Sequence, residues 1–336
     1  MSDLTAPLQL LTDWKTELSH SISSLEELLD ALNLSHHQLS QRQQATLQFP
    51  LRVPRSFVSR MKSGDPNDPL LLQVLPTAEE LLTVPGFIED PLSESQFNPL
   101  PGVVHKYHNR LLLIVSPTCA VNCRYCFRRH FPYQENQQSK QDWQQALNYI
   151  EENSQLNEVI FSGGDPLAAN DQFLSWLSGK IADTPHIKRL RIHTRLPVVI
   201  PSRVDGSLIS WLTDSRLRPV VVLHINHPNE IDNQVRQAIG RLRDADIHLL
   251  NQSVLLQGIN NDAQVLAQLS EKLFDCGITP YYLHMLDPVQ GAAHFSCSQK
   301  QALELYKQLQ AALPGFLVPK LVREMAGERS KTVIAP

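Results

Sequence analysis

From Arg110 onward the chain repeats one pattern six times: a short apolar run, then a longer stretch with helical spacing. The runs fall at 111–115, 159–162, 189–194, 220–225, 249–255 and 280–286. The helical stretches fall near 140–152, 171–182, 205–213, 230–244, 262–275 and 299–312. Runs rich in Val, Ile and Leu, each separated by a crossover, predict an α/β fold with a parallel sheet buried by helices. Ligands of such a sheet gather at the carboxyl ends of its strands. Periodicity alone does not decide whether the sheet closes or stays open.

A chain of 336 residues, 42% hydrophobic and 19% charged, is globular and long enough to enclose a cofactor pocket. The 30 basic and 34 acidic residues give a formal net charge of -4. That balance argues against a nucleic-acid track or a polybasic membrane surface. Residues 1–10 carry an acid and no cationic stretch, so no secretory signal is expected. No apolar run approaches the ~20 residues of a membrane span. The expectation is a soluble cytoplasmic protein with no nucleic-acid or membrane partner.

The first hundred residues have a different texture. Ser24 with Glu27 and Thr77 with Glu80 have the spacing of capping boxes ahead of leucine-rich helical turns. Prolines from Pro50 to Pro101 interrupt any longer element. The expected organisation is a helical, proline-punctuated region over 1–100, a main domain over 101–315 and a C-terminal segment over 316–336.

Three of the five cysteines, Cys119, Cys123 and Cys126, fall in one loop directly after the first apolar run. A disulfide framework would be even in number and spread along a short secreted chain. Three thiolates at spacings of four and three can instead hold a cubane iron–sulfur cluster, leaving one iron unclaimed by protein. The alternative is a zinc site with His130 or another residue as fourth ligand, but structural zinc sites show paired knuckles. Cys276 and Cys297 stand alone.

The segment Cys119-Ala-Val-Asn-Cys123-Arg-Tyr-Cys126 resembles the signature of the radical S-adenosylmethionine enzymes. The resemblance implies an open (β/α)6 partial TIM barrel and a [4Fe-4S] cluster on the three cysteines. The open iron would chelate S-adenosylmethionine, whose cleavage gives a 5'-deoxyadenosyl radical. It also implies that Gly163, Gly164 and Asp165, in Ser162-Gly-Gly-Asp-Pro166, meet the methionine amino group, and that Arg195 in His193-Thr-Arg195 contacts S-adenosylmethionine. By itself Gly-Gly-Asp-Pro is a good turn.

Further runs make the chain similar to the lysine 2,3-aminomutases, most of all to the branch acting with elongation factor P. They are Cys126-Phe-Arg128-Arg129, His227-Pro-Asn-Glu230, Asn251-Gln-Ser-Val-Leu-Leu256 and Tyr281-Tyr-Leu-His-Met-Leu-Asp287. In that family a lysine near the C-terminal end forms a Schiff base with pyridoxal 5'-phosphate, and Lys331 is the matching residue. The match implies Arg128 for the substrate α-carboxylate and Asp287 with Glu324 for its distal ammonium. Two acids there favour a diamino acid over glutamate. Tyr107, Arg110, Asn251, Gln252 and Ser253 are the expected pyridoxal phosphate contacts, Arg110 and Gln252 foremost.

Longer members carry consecutive glycines before the lysine and zinc-binding cysteines after it. Here the run is Gly327-Glu-Arg-Ser-Lys331 and five residues follow. The branch implies conversion of (S)-α-lysine to (R)-β-lysine, a free L-lysine substrate and an electron donor such as flavodoxin or ferredoxin. It implies an indirect link to elongation factor P and its ligase, and it allows a homo-oligomer. The alternatives are a catabolic or biosynthetic aminomutase making (S)-β-lysine, a radical enzyme lacking pyridoxal phosphate, and a non-catalytic metal-binding protein.

Overall fold

A computed structural model describes residues 13–36, 39–136 and 138–334; the reading of the first ten residues lies outside them. The N-terminal region contains α1 (Trp14–Ser19), α2 (Leu25–Ala31), α3 (Leu39–Gln48) and α4 (Arg55–Val58). Ser24 caps α2 through the Glu27 amide at 3.3 Å, but the Glu27 carboxylate pairs with Arg55 rather than completing a box. The second expected helix is a single 3-10 turn over Ala78–Leu81. Pro76 and Pro85 bracket it, and Glu80 is drawn into the interior by two arginines.

The main body runs β1 (Val103–Tyr107), β2 (Arg110–Ser116), α5 (Lys140–Glu152), β3 (Glu158–Gly163), α6 (Asp171–Ala182), β4 (Arg189–Thr194) and α7 (Leu196–Val199). It continues α8 (Gly206–Thr213), β5 (Arg218–His224), α9 (Asn233–Asp244), β6 (His248–Val254), α10 (Ala263–Asp275), β7 (Thr279–His284), α11 (Gln299–Ala312), β8 (Lys320–Arg323) and β9 (Thr332–Val333). Ser139, Asn170, Asp205, Asp232, Asp262 and Ser298 cap the six crossover helices, each side chain accepting a backbone N–H of the first turn.

The strands pair in chain order, β1 to β9. Strands β2 to β8 are parallel, while β1 and β9 pair antiparallel at the two ends. All six expected strand–helix units are present. The sheet has three strands more than the six runs: β1 pairs in front of β2, α11 returns the chain into β8, and the C-terminal segment adds β9. Among the described residues no ladder joins β9 to β1, so the barrel is open.

Period-two alternation aims each strand. In β4, Leu190, Ile192 and Thr194 are buried on one face, while Arg189, Arg191 and His193 face the hollow of the sheet. The apolar core beneath the helices is continuous from Trp14 and Leu28 through Leu113, Phe161 and Leu223 to Leu273. The N-terminal region therefore shares one core with the barrel.

That union is also ionic. Glu80 accepts from Arg124 Nε at 2.9 Å and Nη2 at 2.5 Å, and from Arg129 Nη2 at 2.8 Å, with the carboxylate and Arg124 fully buried. Replacing Glu80 with alanine strands two buried guanidinium groups. We expect Glu80→Ala to lose about 3–5 kcal/mol in denaturant unfolding, the range for breaking a buried ion pair.

Candidate active site

The hollow of the sheet is a cavity of about 880 Å³, near the upper end of what small-molecule sites use. Its walls include Cys119, Cys123, Cys126, Gly163, Gly164, Asp165, Arg195, Arg110, Gln252, Arg128, Asp287, Glu324 and Lys331, every principal site residue expected from the sequence. Tyr107 lines it too. Asn251 and Ser253 do not: both are buried on the opposite face of β6 and bond to the Ile225 backbone. A strand alternates, so when Gln252 faces the cavity its two neighbours cannot.

The cysteine loop leaves β2 at Ser116 and is packed against the turn after β3. Gly163 has φ +121°, and a Cβ there would stand 2.5 Å from the Ser116 carbonyl oxygen; at Gly164 it would stand 2.7 Å from the Thr118 carbonyl. The glycines let one backbone lie against the stem of the cysteine loop. All three cysteines are free thiols. Burial pushes the Cys126 thiol up to about 11 and Cys119 well above its usual value. Binding a metal centre must therefore expel protons.

Asp165 differs from its expected role. Oδ1 accepts from Thr194 Oγ1 at 2.7 Å and Leu167 N at 3.1 Å, and Oδ2 from Arg195 N at 2.8 Å and Leu196 N at 3.0 Å. Four donors fill the carboxylate, so it ties the β3 turn to the end of β4 and has no capacity left for a ligand ammonium. Arg195, so held, points Nη1 at Cys123 Sγ, 2.7 Å away. Its Nε is buried with no partner, leaving one donor for a ligand.

Arg128 is held by a carboxylate that sequence reasoning did not find. Glu94 takes Nε at 2.8 Å and Nη2 at 2.7 Å, while Nη1 donates to Ser162 Oγ at 2.9 Å. Burial opposes the charge on Arg128, but Glu94 outweighs it and keeps the guanidinium protonated.

Elsewhere in the cavity wall, Glu324 accepts from Lys331 Nζ, from Lys106 Nζ at 3.1 Å and from Tyr107 OH at 2.8 Å. Burial pushes Glu324 up, yet Lys331, Lys106 and Tyr107 together hold it at about 2. Asp287 is the opposite case. Its Oδ1 is buried without a partner, and burial, then the charge of Glu324, pushes it up to about 7.

His193, His224 and His284 also face the cavity from β4, β5 and β7. Gln252 Nε2 donates to His224 Nε2 at 2.6 Å, and the Nε2 atoms of His193 and His284 are buried without partners. Burial lowers all three, His224 to about 3, so they sit neutral. Arg191 and Arg110 line the cavity toward the amino end of the strands; Arg191 Nη2 pairs with Glu158, and its Nε is buried and unpaired. Polar residues at alternate positions of an otherwise apolar strand, such as Arg191 and His193, were the available signal.

The donor set fits three groups. Three thiols on one loop, with a guanidinium aimed at one sulfur, suit an iron–sulfur cluster; Arg110 and Arg191 suit a phosphate; the Lys331 amine lies in the same cavity and suits an aldehyde.

The family profile described as the Radical SAM superfamily matches residues 113–269, from β2 into α10. The fold and the cysteine loop thus define a radical S-adenosylmethionine domain. Among curated proteins, the L-lysine 2,3-aminomutase of Escherichia coli (strain K12) is 53% identical over 321 residues, 95% of this chain and 94% of that one. Its namesake from Haemophilus influenzae is 52% identical over 323 residues, covering 96% of each. That from Buchnera aphidicola subsp. Baizongia pistaciae is 50% identical over 323 residues, 96% of this chain and 95% of that one. The chain belongs to the lysine 2,3-aminomutase family, radical isomerases that use a [4Fe-4S] cluster, S-adenosylmethionine and pyridoxal 5'-phosphate.

The contact of Gly164 with the cysteine loop is directly testable. Gly164→Ala forces Thr118 away, at about 1–3 kcal/mol by the usual range for overpacking, and displaces Cys119 with it. Iron bound after anaerobic reconstitution should fall severalfold. Gly179→Ala, where an added Cβ meets nothing within 4 Å, should leave iron content unchanged.

Proposed function

We propose that the chain is an L-lysine 2,3-aminomutase converting (S)-α-lysine to (R)-β-lysine, which is then attached to elongation factor P. The observation that carries this reading is a single cavity holding an amine on Lys331, three clustered thiols and the buried, unpartnered Oδ1 of Asp287. The run Gly327-Glu-Arg-Ser-Lys331 supports the elongation factor P branch. A cytoplasmic location, free L-lysine and a flavodoxin- or ferredoxin-like reductant complete the proposal.

When bound, the three cofactors supply a carbon radical that removes a hydrogen atom and an aldehyde that carries the migrating nitrogen. The remaining work belongs to side chains. Cys119, Cys123 and Cys126 hold the cluster. Arg195 Nε and the backbone of the Gly163-Gly164 turn border S-adenosylmethionine, and Lys331 Nζ anchors pyridoxal phosphate covalently. Arg110 would hold the cofactor phosphate, and Gln252, oriented by its bond to His224, would be a second contact to that cofactor. Arg128, kept charged by Glu94, binds the substrate α-carboxylate. Asp287 receives the distal ammonium. Glu324, which lines the same cavity, would share the distal ammonium with Asp287.

Chiral analysis of the product from anaerobically reconstituted protein and L-lysine tests the proposal. (R)-β-lysine supports it, (S)-β-lysine moves the chain to the catabolic branch, and absence of turnover by fully loaded protein refutes the aminomutase reading. Lys331→Ala should keep its iron yet lose β-lysine formation and borohydride labelling by pyridoxal phosphate; product at the parent rate would remove Lys331 from its role.

A pH dependence follows from Asp287. Only the ionised carboxylate attracts an ammonium, and the lysine side chain stays protonated across this range, so binding strengthens as pH rises through the raised value of about 7. Between roughly pH 8 and pH 6 the ionised fraction falls about tenfold, and lysine affinity should fall with it. Asp287→Asn should weaken binding and flatten that part of the profile.

A further inference from the structure

We propose that the Arg195 guanidinium raises the reduction potential of the cluster through a hydrogen bond to the Cys123 sulfur, and that the Glu230 carboxylate behind it moderates that effect. The inference rests on the reading that the cysteine loop holds the cluster. Arg195 Nη1 lies 2.7 Å from Cys123 Sγ and 2.9 Å from Tyr125 OH. Nη2 donates to Gln73 Oε1 at 2.6 Å and to Glu230 Oε2 at 3.0 Å.

The other Glu230 oxygen accepts from the Asn226 and His227 amides at 2.9 and 3.1 Å and from Gln73 Nε2 at 3.1 Å. Asn226 Nδ2 in turn reaches Tyr125 OH at 2.7 Å. The Glu230 side chain is fully buried and that of Arg195 is 6% exposed. With its backbone N–H fixed by Asp165 and its fork fixed by Glu230 and Gln73, Arg195 has little freedom to point elsewhere.

A cationic donor on a cluster sulfur draws electron density from it and favours the reduced state, and hydrogen bonds to the sulfurs are among the levers that set such potentials. Burial strengthens the effect. The Glu230 charge beyond the guanidinium works in the opposite sense, so the sulfur feels a partly compensated cation. No bond is made or broken: the external reductant supplies one electron to the cluster, and Arg195 keeps its proton.

The test is a redox titration, followed by electron paramagnetic resonance, on anaerobically reconstituted full-length protein without S-adenosylmethionine. Glu230→Gln removes the compensating charge while Gln73 Oε1 still accepts from Arg195 Nη2 and holds the fork, so its midpoint should shift upward from the parent. Arg195→Gln removes the cation and should shift it downward. Iron per chain is measured on every sample. Unchanged midpoints at parental iron content would overturn the inference. If Arg195→Gln fails to take up iron, an upward shift in Glu230→Gln supports the proposal and no shift overturns it. A parent protein that forms no cluster would instead refute the reading of the cysteine loop, a separate result.

Discussion

A guanidinium taken out of water must find an anion, and four arginines crowd the cysteine loop. Arg124 and Arg129 share Glu80, Arg128 takes Glu94, and Arg195 takes Glu230. The loop itself has no acid to offer, and an unpaired buried ion costs several kcal/mol. Two of the three carboxylates come from the N-terminal region, from the turn at 78–81 and the turn at 94–97. The proline-rich stretch before the barrel therefore supplies charges without which the loop could not be buried beside a cavity. This also explains its lack of long helices, because short turns set single carboxylates facing inward.

The parallel core was legible because its strands are dense in Val, Ile and Leu and its helices begin on Ser, Asn or Asp. Strands β8 and β9 were not, since four residues and two residues carry too little pattern, and β8 includes Lys320 and Arg323. The cysteine loop could be read from spacing alone, whereas Lys331 was visible only through family likeness. Glu94 and Lys106 escaped because their partners lie 34 and 218 positions away, a separation no local pattern encodes. Asp165 shows a subtler limit. Its place beside the cavity was foreseen, yet whether its oxygens face a ligand or neighbouring amides depends on how the ends of β3 and β4 meet. Asn251 and Ser253 were misread where strand alternation already held the answer.

The two halves of the cavity are electrostatically unlike. Around the cysteines, charges come in closed pairs that fix geometry. Around Lys331, two lysines and two acids face one another, and one acid has an oxygen with no partner at all. A rigid set of ion pairs suits a centre whose sulfur environment must not vary. A wall with an unspent carboxylate suits an incoming cation.

Glu324 has one more consequence. It follows β8, near one end of the strand order, whereas Lys106 and Tyr107 belong to β1 at the other. The seam of this unfinished cylinder is thus soldered by side chains gathered on a single carboxylate, where a complete cylinder would be stitched by a ladder of amides. Parting the seam exchanges a few polar contacts and leaves every strand pair intact, so whatever displaces Lys331 from that carboxylate acts on the join of the vessel as well as on its contents.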